Sequence, residues 1–145
     1  MNAPSLPTAG QSVVVDASVW IGSLLPNDVH YVPAQFWLNA HVSSGGHIVA
    51  PLILPLETAS AIARVKQEVR FALDSVSDLY SFQYISLQAL DQSLIDEATD
   101  IAITFRLRSA DSIYVALAKR LEVPLVTFDQ EQISRPASII TTIRP

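Results

Sequence analysis

The sequence of 145 residues contains no cysteine. Disulfides, thiolate metal sites and cysteine nucleophiles are therefore excluded. Long apolar runs are also missing: the longest uncharged apolar stretch, residues 48–56, is short and contains two prolines, so no transmembrane helix is expected. The first residues lack a basic segment followed by an apolar run, which a signal peptide would need. We therefore expect a cytoplasmic protein.

Positive charge is scarce and unevenly placed. Nine Lys and Arg residues stand against fourteen Asp and Glu residues, and none of the nine precedes Arg64. A chain with a net charge of −5 is not expected to hold nucleic acid by bulk electrostatics. The basic residues form two small groups, one of Arg64, Lys66 and Arg70 and one of Arg106 and Arg108. Solvated helix surface is the simplest explanation for each of them taken alone.

The composition favours one folded domain. Half of the residues are hydrophobic and 16% are charged, so disorder is not expected, and the length is sufficient for a proper core. No internal repeat or linker is evident. We predict a flexible N-terminal tail over residues 1–11 and a single domain over residues 12–145.

Short apolar segments rich in β-branched residues alternate with helices of ten or more residues. The predicted strands cover residues 12–16, 47–50, 82–87, 125–128 and 138–143. The predicted helices cover residues 18–25, 33–43, 54–70, 69–80, 90–107 and 110–121, with the third and fourth either separate or continuous, and Ser109 capping the last. This alternation predicts an α/β fold with a mostly parallel sheet and helices on both faces.

Four acidic residues occupy unusual positions in this pattern. Asp16 and Asp129 each follow an apolar strand, and the carboxyl ends of parallel strands are where α/β proteins place their sites. Glu57 is the only charge in residues 52–63, and Asp111 opens a helix so apolar that it must be largely buried. Each acid also has a structural explanation.

Asp16 could cap a helix, Asp111 could complement a helix dipole, and Asp129 could begin a turn. Glu57 has the weakest structural explanation, because a glutamate among Leu and Ala gains nothing evident from burial.

Taken together, the four acids favour a metal site. If they converge they repel one another, and a hard divalent cation such as Mg²⁺ or Mn²⁺ removes that repulsion. Such a site suits phosphodiester hydrolysis, because it polarises a phosphoryl oxygen and screens developing charge. The three histidines are scattered and are interpreted as ordinary loop or surface residues: His30, His41 and His47.

Four segments together resemble the PIN domain, and within it the VapC type, the ribonuclease toxin of type II toxin–antitoxin pairs. The segments are Val-Val-Val-Asp16-Ala-Ser18-Val, Leu-Glu57-Thr-Ala-Ser-Ala-Ile-Ala-Arg64, Ala-Asp111-Ser-Ile-Tyr-Val-Ala-Leu-Ala and Pro-Leu-Val-Thr127-Phe-Asp129. Each is weak alone, but the four in this order are fairly specific, and they span about residues 12–143.

The resemblance implies a three-layer α/β/α sandwich and Mg²⁺- or Mn²⁺-dependent endoribonuclease cleavage of single-stranded or loop RNA. Asp16, Glu57, Asp111 and Asp129 match the acidic metal site of the family, and Ser18 and Thr127 match the hydroxyl positions that support those acids. Family members are typically homodimers silenced by a small antitoxin that docks near the site.

Three aromatic residues are candidates for an apolar surface on which an antitoxin docks, although core packing explains them at least as well: Trp20, Phe36 and Trp37. Arg64 lies seven residues, or two helical turns, after Glu57, and Arg108 lies just before the Asp111 helix. Both arginines are candidates for contact with substrate phosphate or with the antitoxin. The segment Gln130-Glu131-Gln132 lacks the basic residue often seen there in the family, so it offers no evident RNA contact.

Other functions remain open. A phosphatase with an aspartyl nucleophile would usually carry a second acid two residues after the first, where this chain has Ser18. A receiver domain would need a further acid near Asp16 and a late lysine after a strand, and neither is found. The strongest alternative is a metal-stabilised, non-catalytic PIN-like module that binds a protein partner.

Overall fold

Five parallel strands form the centre of the protein. The computed structural model describes residues 6–145, and part of the predicted N-terminal tail, residues 1–5, lies outside this range. The strands stand in the order β3-β2-β1-β4-β5, with the bounds Ser12–Val15 (β1), His47–Pro51 (β2), Ile85–Gln88 (β3), Leu125–Val126 (β4) and Thr142–Ile143 (β5). The predicted α/β fold with a central parallel sheet is confirmed.

The strand β1 lies in the middle of the sheet. Val13, Val14 and Val15 are all fully buried, so both faces of this strand are covered. A continuous β-branched run is typical of a strand buried on both sides. Val14 pairs with Val49 on one neighbour and with Leu125 on the other.

Seven helices flank the sheet in the described part of the chain: Ala17–Gly22 (α1), Tyr31–Ser43 (α2), Leu54–Lys66 (α3), Val69–Ser81 (α4), Gln92–Phe105 (α5), Ser109–Leu121 (α6) and Gln130–Ser134 (α7). Helices α1 to α4 connect strands that step outward from β1 to β3, whereas α5 and α6 lead back across the sheet to β4. Because crossovers between parallel strands are right-handed, these two groups cover opposite faces. The strand order therefore reverses between β1 and β4, where α/β proteins form their ligand crevice.

The helix α6 is the main cover of one face. It packs against β1, β2 and β4, and α5 packs on it from outside. All residues from Ser112 to Ala118 are buried, as expected for so apolar a helix. This packing holds the start of α6 beside the crevice.

Left-handed residues end three helices. Gln67 has a φ of 54° and ends α3, so the predicted helices over 54–70 and 69–80 are separate. Arg106 ends α5 and Glu122 ends α6 in the same way. The prediction that Ser109 caps α6 is wrong: Arg108 is the N-cap residue, its side chain makes no capping bond, and Ser109 is already helical.

The strands near the chain end are shorter than predicted. The backbone N–H of Phe128 donates to Ser18 Oγ at 3.2 Å, which removes it from the ladder of β4. Ile139 and Ile140 both donate to the Pro136 carbonyl, so turns take up this part of the predicted last strand. The short helix α7 was not predicted, because five residues carry too little periodicity.

Several predicted surface residues are in the core. His41 is fully buried, stacks on Trp37 with 4.9 Å between ring centroids, and its Nε2 lies 3.1 Å from the His47 carbonyl oxygen. The interpretation of His41 as a loop or surface residue is therefore wrong. Trp37 and Trp20 are also buried, so core packing accounts for these two candidates of the docking surface, whereas Phe36 is 57% exposed.

The end of the predicted tail is attached to the domain. Gly10 N donates to the Ser44 carbonyl at 3.0 Å, and the Gln11 carbonyl accepts from His47 N at 3.1 Å. Among the described residues, no helix is both long and apolar enough to span a bilayer.

Candidate functional site

Asp16 ends β1 at the point where the strand order reverses. Its side chain is 4% exposed and caps α1, since Oδ2 accepts from Ser18 N at 3.0 Å. The backbone of Asp16 is also fixed, because its N–H donates to the Val126 carbonyl of β4 at 2.9 Å. The sheet therefore holds this carboxylate rigidly in the crevice.

Two polar side chains from the β4 side support Asp16. The Thr127 hydroxyl lies 3.3 Å from Asp16 Oδ2 and 2.6 Å from Gln132 Oε1, and it accepts from Asp129 N at 2.9 Å. The amide of Gln132 donates to Asp16 Oδ1 at 3.2 Å and to the Asp111 carbonyl at 3.3 Å. Ser18 Oγ lies 3.4 Å from the Thr127 hydroxyl. The structure thus places both predicted hydroxyl residues beside Asp16.

Asp129 stands next to this network. Its Oδ1 accepts from Gln132 N at 2.9 Å, so it caps α7. Thr127 and Gln132 contact both Asp16 and Asp129, which brings together the two acids that follow β1 and β4.

Asp111 reaches the same place from the first turn of α6. Arg108 Nε donates to Asp111 Oδ2 at 3.0 Å, and Arg108 Nη2 donates to Asp129 Oδ2 at 3.3 Å. One guanidinium therefore joins two of the acids.

Glu57 approaches from the opposite helical layer, in the first turn of α3. Tyr114 Oη donates to Glu57 Oε1 at 2.9 Å, and Tyr114 lies one helical turn after Asp111 on α6. Burial itself gives Glu57 no gain, as expected, because it raises the pKa of the carboxyl. The hydrogen bond from Tyr114 and the place in the first turn of a helix are gains that the sequence did not show.

Burial and mutual repulsion act on the ionisation of the acids. Burial is the main cause that raises the pKa of Asp16, and the Asp129 charge raises it further, against hydrogen bonds that lower it. Burial likewise raises the pKa of Glu57, and the charges of Asp16 and Asp111 add to the effect. The pKa of Asp111 is also raised, although its hydrogen bond to Arg108 opposes the shift. Because ionisation of these acids is unfavourable without a nearby positive charge, a bound cation would stabilise the site.

Two members of the network were missed in the sequence. Tyr114 follows Asp111 by three residues on a predicted helix, so it had to share the face of that acid. Gln132 lies in a segment interpreted only as lacking a base, yet it is fully buried. Arg64, in contrast, is exposed, and among the described residues its side chain makes no hydrogen bond or ion pair, so the structure does not bring it to the acids.

A family model matches most of the chain. The model of the PIN domain matches residues 13–138, which includes all four acids. This chain belongs to the PIN domain family. No curated protein matches the sequence significantly.

Solved structures share the fold of this PIN domain. VapC20 of Mycobacterium tuberculosis, described as a toxin that cleaves the sarcin–ricin loop, superposes with a TM-score of 0.75 at 15% identity, covering 92% of this chain and 99% of its own. VapBC2 of Rickettsia felis, bound to a fragment of promoter DNA, gives 0.67 at 9% identity, covering 92% and 98%. A toxin–antitoxin complex of Klebsiella pneumoniae gives 0.62 at 16% identity, covering 90% and 95%.

The acids of this PIN domain suit a hard divalent ion by their chemistry. All four offer carboxylate oxygens, which Mg²⁺ and Mn²⁺ prefer, and Asp16 and Glu57 have no basic partner within residues 6–145. In the same range, no three acidic or histidine side chains stand close enough to hold a metal without moving.

Proposed function

We propose that this PIN domain is a divalent-metal-dependent endoribonuclease and the toxin of a toxin–antitoxin pair. The observation that carries the proposal is that four carboxylates from four separate segments face one crevice, near enough for their charges to raise the pKa values of Asp16, Glu57 and Asp111. Membership of the PIN family and the shared fold of VapC structures support it.

Asp16, Glu57, Asp111 and Asp129 would hold Mg²⁺ or Mn²⁺, which would polarise the scissile phosphate and offset the charge that develops during hydrolysis. Three neighbouring side chains orient two of these carboxylates. Thr127 and Gln132 fix the orientation of the Asp16 carboxylate, and Tyr114 fixes that of Glu57.

Single-stranded or loop RNA is the proposed substrate class. VapC20, which shares this fold, is described as cleaving the sarcin–ricin loop, an RNA loop. The exposed Arg64 of α3 and Arg108 at the start of α6 are the proposed contacts with the RNA backbone or with the antitoxin. With so few bases, affinity would come from loop shape and a small number of phosphate contacts rather than from a wide basic surface.

A small antitoxin and a second copy of the chain are the proposed protein partners. Related folds occur in toxin–antitoxin complexes. Large apolar side chains are exposed on α3 and α4, where a protein partner would cover them: Leu56, Val65, Val69, Leu73 and Tyr80. We propose that these partners meet in the cytoplasm.

The test is metal-dependent cleavage of a pool of structured RNAs. We expect cleavage with Mg²⁺ or Mn²⁺, none with EDTA, and loss of at least a hundredfold in rate for Asp16→Asn, since removing one buried ligand charge disables the site. The matched control is Asp100→Asn, which removes an exposed acid of α5 and should cleave like the wild type.

Equal cleavage by the wild type and Asp16→Asn would contradict the role of Asp16. If a purified antitoxin bound the wild type tightly while no RNA in the pool was cleaved, the non-catalytic binding module would be favoured instead.

A further inference from the structure

Arg108 occupies an unusual place in the acidic site. It is the N-cap residue of α6, and its exposed side chain reaches Asp111 in the first turn of that helix. Its Nε and Nη2 atoms donate to Asp111 and Asp129 at 3.0 and 3.3 Å, so one guanidinium spans two carboxylates that come from different segments.

Arg108 offsets the negative charge of only two of the four acids, Asp111 and Asp129. Asp16 and Glu57 are bonded by neutral donors, from Ser18, Gln132 and Tyr114. Arg108 lies within ion-pair distance of Asp111 and Asp129. Two acids of the site are therefore bonded by neutral groups, and the other two are bonded by an arginine.

The two ion pairs of Arg108 are easily broken. The Arg108 side chain is 74% exposed, and exposed ion pairs contribute little because water and salt screen them. Asp111 and Asp129 are much less exposed, at 15% and 23%, so they stay in the crevice when the arginine leaves. A divalent ion carries twice the charge of the guanidinium and can contact both carboxylates more closely.

We propose that Arg108 is an exchangeable counter-ion, which holds Asp111 and Asp129 together in the metal-free protein and is displaced when a divalent cation binds those carboxylates. The inference rests on the proposed function, because it concerns the same metal site. It explains why one exposed guanidinium joins two carboxylates from different segments. Arginine displacement then sets the metal concentration at which the site becomes loaded.

The experiment measures Mn²⁺ binding by calorimetry, and melting temperature with EDTA or saturating Mn²⁺, for the full chain without RNA. We expect Arg108→Gln to bind Mn²⁺ about threefold to tenfold more tightly than the wild type, because no competing cation has to leave. We also expect its melting temperature to be lower in EDTA and to match the wild type at saturating Mn²⁺. The single ammonium of Arg108→Lys cannot span both carboxylates. The Mn²⁺ affinity of this variant should therefore lie between those of the wild type and Arg108→Gln.

Arg106→Gln is the matched control. Arg106 lies two residues before Arg108, and its side chain makes no ion pair with the acids. Arg106→Gln removes the same charge, so its Mn²⁺ affinity should equal that of the wild type. If Arg108→Gln binds Mn²⁺ as the wild type does or more weakly, the counter-ion role is overturned while the metal site stands. If the wild type itself binds no Mn²⁺ or Mg²⁺, the metal site fails and this inference fails with it.

Discussion

The Asp16 carboxylate loses most of its water at the end of β1, and its polar contacts replace that water only in part. The Ser18 N–H and the Gln132 amide favour the charged form, yet burial is the larger effect and raises the pKa. Because a buried charge without a counter-charge is costly, this single residue already favours a bound cation.

Tyr114 has the corresponding task at Glu57. Its hydroxyl donates to the Glu57 carboxylate and lowers a pKa that burial raises. Burial places the pKa of Tyr114 itself far above its ordinary value, so the hydroxyl keeps its proton and remains a donor at any working pH.

Tyr114→Phe should therefore weaken metal binding with little harm to the fold. The ring keeps its packing, while the lost hydrogen bond, of about 1 kcal/mol, makes ionised Glu57 less favourable. We expect Mn²⁺ affinity, measured by calorimetry at pH 7, to fall about fivefold. We also expect the loss to shrink at higher pH, where Glu57 ionises more fully. Tyr80→Phe, which removes an exposed hydroxyl on α4, is the control and should bind as the wild type does. A loss that did not vary with pH would speak for a packing defect.

At the scale of elements, the turn between α2 and β2 shows how a polar residue enters the core. His41 lies one helical turn after Trp37 and stacks on it, while Gly46 passes directly under the imidazole. A Cβ on Gly46 would lie 2.4 Å from the ring of His41, which is closer than real atoms approach.

Gly46→Ala should displace His41 and destabilise the domain by about 2 kcal/mol, as other overpacked cores are. For a domain of this size, that corresponds to a melting temperature lower by roughly 6 °C. Gly45→Ala is the control: a Cβ there meets no atom within 4 Å, and only the strain of a φ of +81° remains. We expect a smaller loss for Gly45→Ala, of about 1 kcal/mol. If both variants lost the same stability, backbone strain rather than contact with His41 would govern this turn.

At the scale of the whole molecule, two groups of buried residues respond to pH in opposite directions. Burial lowers the pKa of His41, so its contribution to stability is lost as pH falls through the ordinary histidine range. Burial raises the pKa values of Asp16, Glu57 and Asp111, so the folded state binds more protons than the unfolded state between the ordinary and the raised values. The acids therefore cost stability as pH rises through that interval.

Glu57→Gln separates these effects. Without metal, the variant should melt higher than the wild type at pH 7 by a few degrees, and this gain should vanish near pH 4, where Glu57 is protonated. Because the variant loses a ligand, Mg²⁺ should raise the melting temperature of the wild type more than that of Glu57→Gln, and more at pH 8 than at pH 5. Thermal melts with EDTA or Mg²⁺ from pH 4 to 8 measure all of these differences. A metal-free Glu57→Gln that melted lower than the wild type at pH 7 would instead assign Glu57 a structural role at the start of α3.

Much of the fold could be predicted from the sequence, because the patterns that indicate strands and helices are local. The run from Val13 to Val15 marks a strand buried on both faces, and the period of α5 and α6 marks helices, since burial imposes these patterns on neighbouring residues. The α/β class and the parallel sheet were predicted on this basis and are confirmed. The PIN family was predicted from the resemblance of four acidic segments and is also confirmed. The ends of elements were less readable, because the left-handed residues Gln67 and Arg106 carry side chains with no marked preference for that conformation.

The sequence by itself determined where the four acids stand along the chain: Asp16 and Asp129 after strands, Glu57 within an apolar helix, and Asp111 at the start of another. It determined this because the apolar runs beside these acids are patterns of residues close in sequence. Only the tertiary structure decided that Arg108 joins Asp111 to Asp129, that Gln132 reaches Asp16, and that Tyr114 meets Glu57. Those contacts depend on how far β1 and β4 pair and how closely α3 and α6 approach the crevice, and no local pattern encodes such distances between segments far apart in the chain.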